Sequence, residues 1–403
     1  MRAAALVHAK SVVAALLFSV LVAASVLAPL AGSTRGGDSR PSFASASEWT
    51  NVTTSVRPPG AYGIAMTFDQ AAKTDVLAGG CYACPGVFQT SLYNASSNTW
   101  TQRTTSGQPW PTHDLSLLYI PPTGEVLLFG GGDMAPHFYD ASINQTWSYD
   151  VNGDTWADLG PTDRPPGLLG QGLVYDTREN RTVLFGGCER VLPTDSCTLA
   201  NDTWEYDPAV NRWTNRSPAA SPSRRANFGM AYDSQSALTI VFGGRALAGS
   251  YSWSDETWVY NFTANAWTQR HPSAHPSPRG YHSMVYDDRT DLVVLYGGLS
   301  NVAMSQDTWV YDVDRDEWRN VTPATGPGPL ARQAMAYDPV NDVVVLFGGI
   351  DASSRTRNET WVFRYGPRSA GLPAYTQVWV FLGLVLALAA TPVVVWAWHR
   401  RRR

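Results

Sequence analysis

The chain has 403 residues, of which 44% are hydrophobic, and a formal net charge of −4. This hydrophobic content can fill a core and excludes wholesale disorder. Both ends are basic, so the middle is acidic and lacks the basic face that nucleic acid binding requires. The 16 Trp, 18 Tyr and 34 Gly favour short strands and tight turns.

The first 31 residues predict a secretory signal. Arg2 and Lys10 precede an apolar run over residues 11–31, in the order that a basic region and a hydrophobic region take in such signals. A small-x-small cleavage site is hard to find, because Ala28 is followed by Pro29. An uncleaved signal anchor is therefore the alternative. Residues 32–46 are interpreted as a linker.

An internal repeat fills the middle of the chain. An apolar run that ends in a double glycine occurs six times, at a spacing of 51 to 57 residues. A Thr-Trp-x-Tyr segment or a near copy follows each double glycine, and a second Trp stands nine residues after the first. A small residue lies three positions before an aromatic residue that precedes each double glycine. The double glycines are Gly79 and Gly80, Gly130 and Gly131, Gly186 and Gly187, Gly243 and Gly244, Gly297 and Gly298, Gly348 and Gly349; the first Trp set is Trp147, Trp204, Trp258, Trp309 and Trp361, with Ser91 in the first repeat; the second set is Trp100, Trp156, Trp213, Trp267 and Trp318; the small residues are Ala65, Ser116, Gly172, Gly229, Ser283 and Ala334.

This pattern predicts four strands in each repeat. The small residue suits an innermost strand beside a central channel, and the double glycine allows a backbone bend at the end of the second strand. The Thr-Trp-x-Tyr segment and the second Trp then mark the third and fourth strands. A single four-stranded sheet cannot bury both of its faces, so neighbouring sheets must cover each other.

The repeat resembles the kelch repeat, whose period is about 50 residues. The resemblance implies an all-β, six-bladed kelch β-propeller of the galactose oxidase-like central domain superfamily over residues 47–366. The sixth repeat lacks its second Trp, and the segment around Trp49 matches the segment around Trp318. We therefore expect the N-terminal strand around Trp49 to complete the last blade and close the ring.

The C-terminal segment predicts a membrane anchor. Residues 376–398 carry no charge and are long enough to cross a hydrocarbon core of ~30 Å. Trp379 and Trp396 suit the two interfaces, and the basic tail 399–403 is expected in the cytoplasm. The propeller then lies outside the cell, after a linker at 367–375. The alternative is a sorting signal that is processed to leave the protein linked to the surface.

Cysteines and glycosylation triplets agree with an external domain. Cys81 with Cys84, and Cys188 with Cys197, form two close pairs that predict local disulfides in an oxidising compartment. The first pair could instead be half of a zinc site or a redox motif, although no second half has zinc-finger spacing. Nine Asn-x-Ser/Thr triplets permit glycosylation, at Asn51, Asn94, Asn144, Asn180, Asn201, Asn215, Asn261, Asn320 and Asn358.

Enzyme motifs are weak. No spacing marks the copper centre of the radical oxidases that share the kelch scaffold. His271 and His275, with His282 nearby, could bind a metal, but a loop followed by a first-strand His is favoured. The segment from Ser148 to Trp156 misses the sialidase Asp-box by one residue. No catalytic residue, metal or cofactor is therefore assigned.

Loops offer a binding surface. The loops between second and third strands are long, and they carry aromatic residues of the kind that dominate interfaces. The blade-to-blade loops carry arginines that could form a ring for carboxylates or acidic glycans, although each arginine could instead brace its own loop. The candidate residues are Tyr82, Phe88, Phe138, Tyr139, Tyr251 and Trp253, with Arg57, Arg164, Arg225, Arg279 and Arg332.

The sequence thus favours an extracellular, membrane-anchored module that binds or adheres to a protein or a glycan. The alternative is a carbohydrate-active enzyme on the same scaffold, similar to the oxidases or to the sialic acid epimerases. The partner's identity does not follow from the residues.

Overall fold

The computed structural model describes residues 47–80, 88–110, 112–133, 142–191, 196–248 and 250–366. Every regular element in these ranges is a β strand, and no helix among them is long and apolar enough to cross a membrane. The predicted signal, both linkers, the membrane helix 376–398, the basic tail and the Cys81–Cys84 pair lie outside the described residues.

Six four-stranded antiparallel sheets form the blades; in blades 1 to 5 the strands follow one another in chain order from the channel outward, and in blade 6 the outermost strand is Ser47–Asn51. This confirms the four strands predicted for each repeat. Blade 1 contains Ala65–Asp69, Thr74–Ala78, Thr90–Asn94 and Thr99–Gln102; blade 2 contains Ser116–Ile120, Glu125–Phe129, Thr146–Asp150 and Thr155–Asp158; blade 3 contains Gly172–Asp176, Arg181–Phe185, Thr203–Asp207 and Arg212–Asn215; blade 4 contains Gly229–Asp233, Leu238–Phe242, Thr257–Asn261 and Ala266–Arg270; blade 5 contains Ser283–Asp287, Leu292–Tyr296, Thr308–Asp312 and Glu317–Asn320; blade 6 contains Ala334–Asp338, Val343–Phe347, Thr360–Tyr365 and Ser47–Asn51.

Short strand pairs lie on the loop face, where the blade-to-blade loops meet the loops between second and third strands. Each strand of these pairs is two to four residues long. The pairs are Thr112–His113 with Gly132–Asp133, Leu330–Ala331 with Ile350–Asp351, Cys188–Val191 with Ser196–Leu199, and Arg225–Ala226 with Arg245–Ala248, which also pairs with Ser250–Trp253.

The first strand of the chain closes the ring, as the sequence predicts. Ser47–Asn51 runs antiparallel to Thr360–Tyr365, with Trp49 opposite Phe363. Trp49 is 3% exposed and packs against Tyr296 of blade 5. The fourth strand of blade 6 therefore comes from before the first repeat, and its other three strands come from the sixth repeat.

The outer Trp of every blade forms a hydrogen bond with the preceding blade. Its indole N–H donates to the hydroxyl of the Thr that begins the third strand of that blade, and the pattern returns on itself after six steps. The bonds are Trp49 to Thr308 (2.8 Å), Trp100 to Thr360 (2.9 Å), Trp156 to Thr90 (3.0 Å), Trp213 to Thr146 (3.0 Å), Trp267 to Thr203 (3.0 Å) and Trp318 to Thr257 (2.9 Å).

The double glycines link each blade to the next one. All twelve have positive φ, which a Cβ would strain. The second glycine of each pair also donates its N–H to a carbonyl of the loop that leads into the following blade. The acceptors in blade order are Thr112, Leu168, Arg225, Arg279, Leu330 and Ala61, at 2.7 to 2.9 Å.

The small residues of the first strands lie where blades approach most closely. A Cβ on Gly172 would meet the sulfur of Met230 at 2.3 Å, and one on Gly229 would meet the sulfur of Met284 at 2.4 Å. The six first strands surround an axial channel of about 480 Å³. The sequence-based reason for small residues at these positions is therefore confirmed.

Candidate ligand site at the channel mouth

Six residues at the loop-face end of the channel share one backbone conformation. Each stands two positions before the small residue of its first strand, and each has a φ between +52° and +64°. We call this set the mouth ring; in blade order it consists of Gly63, Asp114, Gly170, Asn227, Tyr281 and Arg332.

The mouth ring is closed by its own backbone. Each member donates its N–H to the carbonyl oxygen of the member in the preceding blade, and Gly63 donates to Arg332. The six N···O distances lie between 2.7 and 3.1 Å. Because all six bonds lie in one cycle, the width of the mouth is set by the backbone, whatever side chains the ring carries.

Two of the six residues are unusual for this conformation. Gly, Asn and Asp visit the left-handed region readily, but Tyr281 at +56° and Arg332 at +58° do not. The left-handed form costs a residue with a Cβ about 1–2 kcal/mol. Strain of this kind is more frequent at functional sites than elsewhere.

Side chains of the mouth ring lean back over the preceding member. A Cβ on Gly170 would meet Oδ1 of Asn227 at 2.2 Å, and one on Gly63 would meet Oδ1 of Asp114 at 3.0 Å. The guanidinium of Arg332 in turn lies 4.3 Å from the centre of the Tyr281 ring. The two glycines thus leave space for a carboxylate and an amide, and the tyrosine supplies a face for a guanidinium.

Arg332 and Asp114 meet across the gap that Gly63 leaves. Nη1 of Arg332 lies 3.5 Å from Oδ2 of Asp114, and the Nδ1 atom of His113 lies 3.2 Å from the same oxygen. Burial by itself would raise the pKa of Asp114, but the hydrogen bond with His113 and the charge of Arg332 hold the pKa below its ordinary value. Asp114 is therefore ionised at neutral pH.

A cavity of about 270 Å³ opens at this mouth, and we call it the mouth cup. The polar members of the mouth ring line it together with Tyr62, His113, Arg190 and Arg245. One wall is the Cys188–Cys197 hairpin, whose strand is joined to Leu169 by two backbone hydrogen bonds of 2.9 and 3.0 Å. The wall is therefore fixed directly beside Gly170 of the ring.

The Cys188–Cys197 disulfide is present, as the sequence predicts. It joins the two strands of that hairpin, and Cys188 is buried against Leu199 and Ala226. The two sulfurs link strands that line the mouth cup.

The five arginines predicted on the loop face do not occupy one ring. Arg225 and Arg279 are 0% and 1% exposed, and each donates to a carbonyl of the neighbouring double glycine. Arg225 also bonds Glu256, and Arg279 bonds Asp307 at 2.9 Å. Arg225 and Arg279 therefore brace their own loops, which is the alternative given above. Because both are buried, they are not accessible to a ligand.

The other three arginines have different surroundings. Arg57 is half-buried and donates to the carbonyl of Thr54 at 2.6 Å, whereas Arg164 is exposed. Arg332 alone of the five belongs to the mouth ring, two positions further along its loop than Arg225 and Arg279 along theirs.

The predicted aromatic anchors also separate. Phe88 is 3% exposed and packs edge-on against Trp156, so it belongs to the core and not to a loop surface. Trp253 is half-buried, with its ring 5.8 Å from that of Tyr281 and its edge against Gly280. It therefore supports the mouth ring from outside. Tyr82, Phe138 and Tyr139, and the side chain of Tyr251, lie outside the described part of the structure.

The three histidines near the start of blade 5 do not converge. His282 is buried, and its Nε2 accepts the N–H of Gly229 at 3.0 Å. Burial and then the nearby Arg279 lower the pKa of His282 to about 3. His275 contacts the carbonyl of Pro276, and His271 lies on the exposed loop. Within the described ranges no three His, Cys, Asp or Glu side chains are grouped to hold a metal ion.

Three of the glycosylation triplets have a structural role. Asn51, Asn215 and Asn320 end the fourth strands of their blades, and each side-chain carbonyl accepts the N–H of the Ser or Thr two residues later at 2.9 to 3.1 Å. The hydroxyl of that residue accepts the N–H of the Thr that begins the third strand, at Thr360, Thr203 and Thr308. In each of these blades the triplet therefore provides a hydrogen-bond acceptor for the N–H group at the start of the third strand.

Sequence reasoning missed the mouth ring, apart from Arg332. Its members share a backbone conformation and no residue type, so a search for recurring residues passes over them. The available signal was positional, since all six stand two residues before the small residue of a first strand.

Six four-stranded blades around a channel, with the double glycines and outer Trp residues in these contacts, define a kelch-type β-propeller. The model of the KLHDC2/KLHL20/DRC7 Kelch-repeats domain matches residues 43–244 and 124–349, and the chain belongs to this family.

Individual relatives match over shorter lengths. The flagellar outer arm dynein alpha chain of Chlamydomonas reinhardtii is 30% identical over 199 residues, which is 45% of this chain and 4% of that protein. Mei4-dependent protein 6 of Schizosaccharomyces pombe is 32% identical over 94 residues, which is 22% of this chain and 13% of that protein. The solved structure of YjhT covers 78% of this chain and all of its own, with a TM-score of 0.61 and 13% identity. That likeness concerns the fold.

Proposed function

We propose that this propeller is a binding module on the outer surface of the cell, held by the predicted membrane helix 376–398 or linked to the surface after processing. Its partner, a protein or a glycan, docks on the loop face with the mouth cup at the centre. The observation that carries the proposal is the left-handed backbone of Tyr281 and Arg332 at the mouth.

The contrast between the contacts that join the blades and the mouth ring supports this role. The contacts that join the blades use the same residue types in every blade, as a scaffold requires. The mouth ring has the same backbone in every blade but carries Asp, Asn, Tyr and Arg at four positions. Since Gly or Asn would hold the ring with less strain, the bulky side chains are explained by what they contact. Kelch propellers are generally protein-binding scaffolds, which agrees with a binding role.

The remaining predicted loop residues extend the proposed surface. Arg57 and Arg164, together with Tyr82, Phe138, Tyr139 and Tyr251, are proposed to add contacts for a larger partner. Aromatic residues and arginines of this kind dominate the binding energy of interfaces.

A carbohydrate-active enzyme is the second candidate, and one pair of residues favours it. His113 and the ionised Asp114 are 3.2 Å apart at the cup, as a general base and the carboxylate that orients it would be. Turnover of a sugar by the purified protein, lost on His113→Gln, would make the module an enzyme.

A thermal-shift screen of the full-length chain in detergent tests the binding role. The probes are two libraries, one of oligosaccharides and one of peptides. We expect at least one probe to raise Tm in the wild type and to have no effect on a Tyr281→Asn, Arg332→Asn variant, which keeps residue types that accept the left-handed backbone. Probes that stabilise both proteins equally would place the site away from the mouth and overturn the proposal.

Mass spectrometry of the mature protein tests the location. An intact C-terminal segment together with protease-accessible propeller on whole cells supports a retained anchor. A chain that ends before residue 376 and carries a surface linkage supports processing, whereas a propeller protected in whole cells contradicts the external location.

A further inference from the structure

We infer that the mouth cup binds the terminal sugar of a glycan through the sugar's hydroxyl groups. This rests on the proposed binding function and narrows its partner from a protein or a glycan to a glycan. Three observations carry it: the chemistry of the ring's polar groups, the aromatic faces beside them, and the size of the cup.

Three planar polar groups stand on alternate blades of the mouth ring. Asp114 in blade 2 offers an ionised carboxylate that accepts hydrogen bonds, Arg332 in blade 6 offers only donors, and the amide of Asn227 in blade 4 offers both. A hydroxyl group donates one hydrogen bond and accepts others. A ring of vicinal hydroxyls therefore matches this set, since each hydroxyl can pair with a donor and with an acceptor.

The charges at the mouth favour hydroxyls over a simple anion. Arg332 already faces the carboxylate of Asp114 at 3.5 Å, so the pair is close to neutral. Arg190 and Arg245 also line the cup, but both make contacts of their own within the protein. A small carboxylate or sulfate would have to compete with Asp114 for Arg332, whereas hydroxyls can bond to both partners at once.

Aromatic surfaces lie beside these polar groups. Arg332 is 4.3 Å from the centre of the Tyr281 ring and 5.5 Å from that of Tyr62, and both tyrosines line the cup. A sugar presents C–H groups on the faces of its ring as well as hydroxyls at its edge. Arg332 covers part of each tyrosine ring, and the ring surface that remains at the wall of the cup can bury the C–H groups of a sugar.

The cup is small. Its volume of about 270 Å³ lies just below the range of ~300–1,000 Å³ that is usual for small-molecule sites. One or two sugar rings match this volume, whereas a folded protein surface cannot enter it. The cyclic backbone of the mouth ring fixes the width, so the cup is formed before any ligand arrives.

Titration calorimetry with the full-length chain in detergent tests the inference. The probes are methyl glycosides and disaccharides of neutral and acidic sugars, with sodium acetate, sodium sulfate and a peptide panel in parallel. We expect at least one sugar to bind, and acetate, sulfate and peptides to leave the cup empty. Each of Asp114→Asn, Asn227→Gly and Arg332→Asn should weaken that sugar at least about tenfold, because each removes hydrogen bonds that involve a charged or buried group.

These substitutions keep residue types that accept positive φ, so the ring backbone is preserved. Lys73→Asn is the matched control, since Lys73 also has a left-handed φ of +54° and a positive charge but lies in the turn at the other end of blade 1. We expect the control to bind the sugar as the wild type does. Unchanged melting of the variants identifies lost contacts and not lost folding as the cause; for a variant that melts earlier, binding is measured at a temperature where it stays folded.

The possible results separate this inference from the proposed function. Peptides that bind in an Arg332-dependent manner, with no sugar binding, overturn the sugar inference and leave a binding module. Sugars that bind equally to wild type and all three variants also overturn it. Sugars that bind at the mouth and are then converted support the sugar site and overturn a function limited to binding.

Discussion

The indole N–H of Trp49 donates a 2.8 Å hydrogen bond to the hydroxyl of Thr308, although 259 residues separate them in the chain. Trp100 and Thr360 form the equivalent bond over 260 residues, and four further Trp–Thr bonds join the remaining blades over 61 to 67 residues. The segment that closes the ring is therefore held by the same type of Trp–Thr hydrogen bond as every other blade.

Thr308→Val removes the acceptor of that bond. The buried indole N–H of Trp49 then has no partner, which is expected to lower the free energy of unfolding by about 1–3 kcal/mol. Urea unfolding followed by Trp fluorescence measures the change. Thr101→Val, at an exposed strand position of blade 1, is the control and should have little effect. Equal effects of both substitutions would show that the bond contributes nothing to closure.

Gly170→Ala tests the mouth ring. Alanine would be strained at φ +63°, and its Cβ would meet Oδ1 of Asn227 at 2.2 Å. Gly124→Ala has similar strain at φ +71° but no atom within 4 Å. We expect each to lose about 1–2 kcal/mol from strain, and Gly170→Ala to lose more and to displace the Asn227 amide. The difference in Tm between the two variants isolates the contact, and no difference would contradict the close approach.

His282 makes the stability depend on pH in acid. Burial and Arg279 lower the pKa of His282 to about 3, from an unfolded value near 6.5. The unfolded chain therefore takes up a proton first, and the stability from neutral His282 is present above pH 6.5 and lost as the pH falls towards 3, by up to about 1.4 kcal/mol per pH unit.

His282→Gln removes this component. Glutamine stands at the equivalent positions Gln171 and Gln333, where its amide donates to the last carbonyl of a second strand. We expect the wild type to lose more stability than the variant between pH 6.5 and 4, in urea titrations at each pH. Parallel curves for the two proteins would show that His282 is protonated in the folded state.

Asp75 has the opposite effect to His282 on the pH dependence of stability. It is buried, neither carboxylate oxygen has a hydrogen-bond partner in the described residues, and burial followed by Asp338 raises its pKa well above the ordinary value. The unfolded chain releases this proton first, so stability falls as the pH rises above about 3.9 until the folded pKa is reached.

Asp75→Thr is expected to stabilise the propeller at neutral pH. Thr182 and Thr239 occupy the equivalent place in blades 3 and 4, opposite the same Tyr of the third strand. The gain should disappear near pH 3, where Asp75 is protonated in both states. Calorimetric Tm values at pH 3 and pH 7 test this, and a variant that is less stable at pH 7 would contradict the raised pKa.

The blades were predictable because the contacts between them use fixed residue types. A double glycine must bend where Cβ is excluded, and an outer Trp must reach a Thr of the preceding blade, so the residues recur in phase. Trp49 was recognisable for the same reason. Arg225 and Arg279 show the limit: their spacing indicated a loop-face location, but only the packing against Glu256 and Asp307 shows that they are buried.

The mouth was not predictable in the same way. Gly63, Tyr281 and Arg332 are equivalent by backbone conformation, and no side-chain pattern relates them. The Arg332–Asp114 contact also spans blades 6 and 2, across a residue with no side chain. A relationship of this kind arises from closure of the ring, which a linear repeat does not contain.

The pairing of Ser47–Asn51 with Thr360–Tyr365 sets an order of events during synthesis. The earliest-made strand of the propeller has no partner until the last strand has been completed, about 300 residues later. Blades 1 to 5 can pair their strands while the chain is still growing, whereas the pairing within blade 6 and the packing of blades 1 and 5 against it must wait. A ribosome stalled before residue 360 would therefore hold an open arc, with the edge of Ser47–Asn51 exposed to other chains.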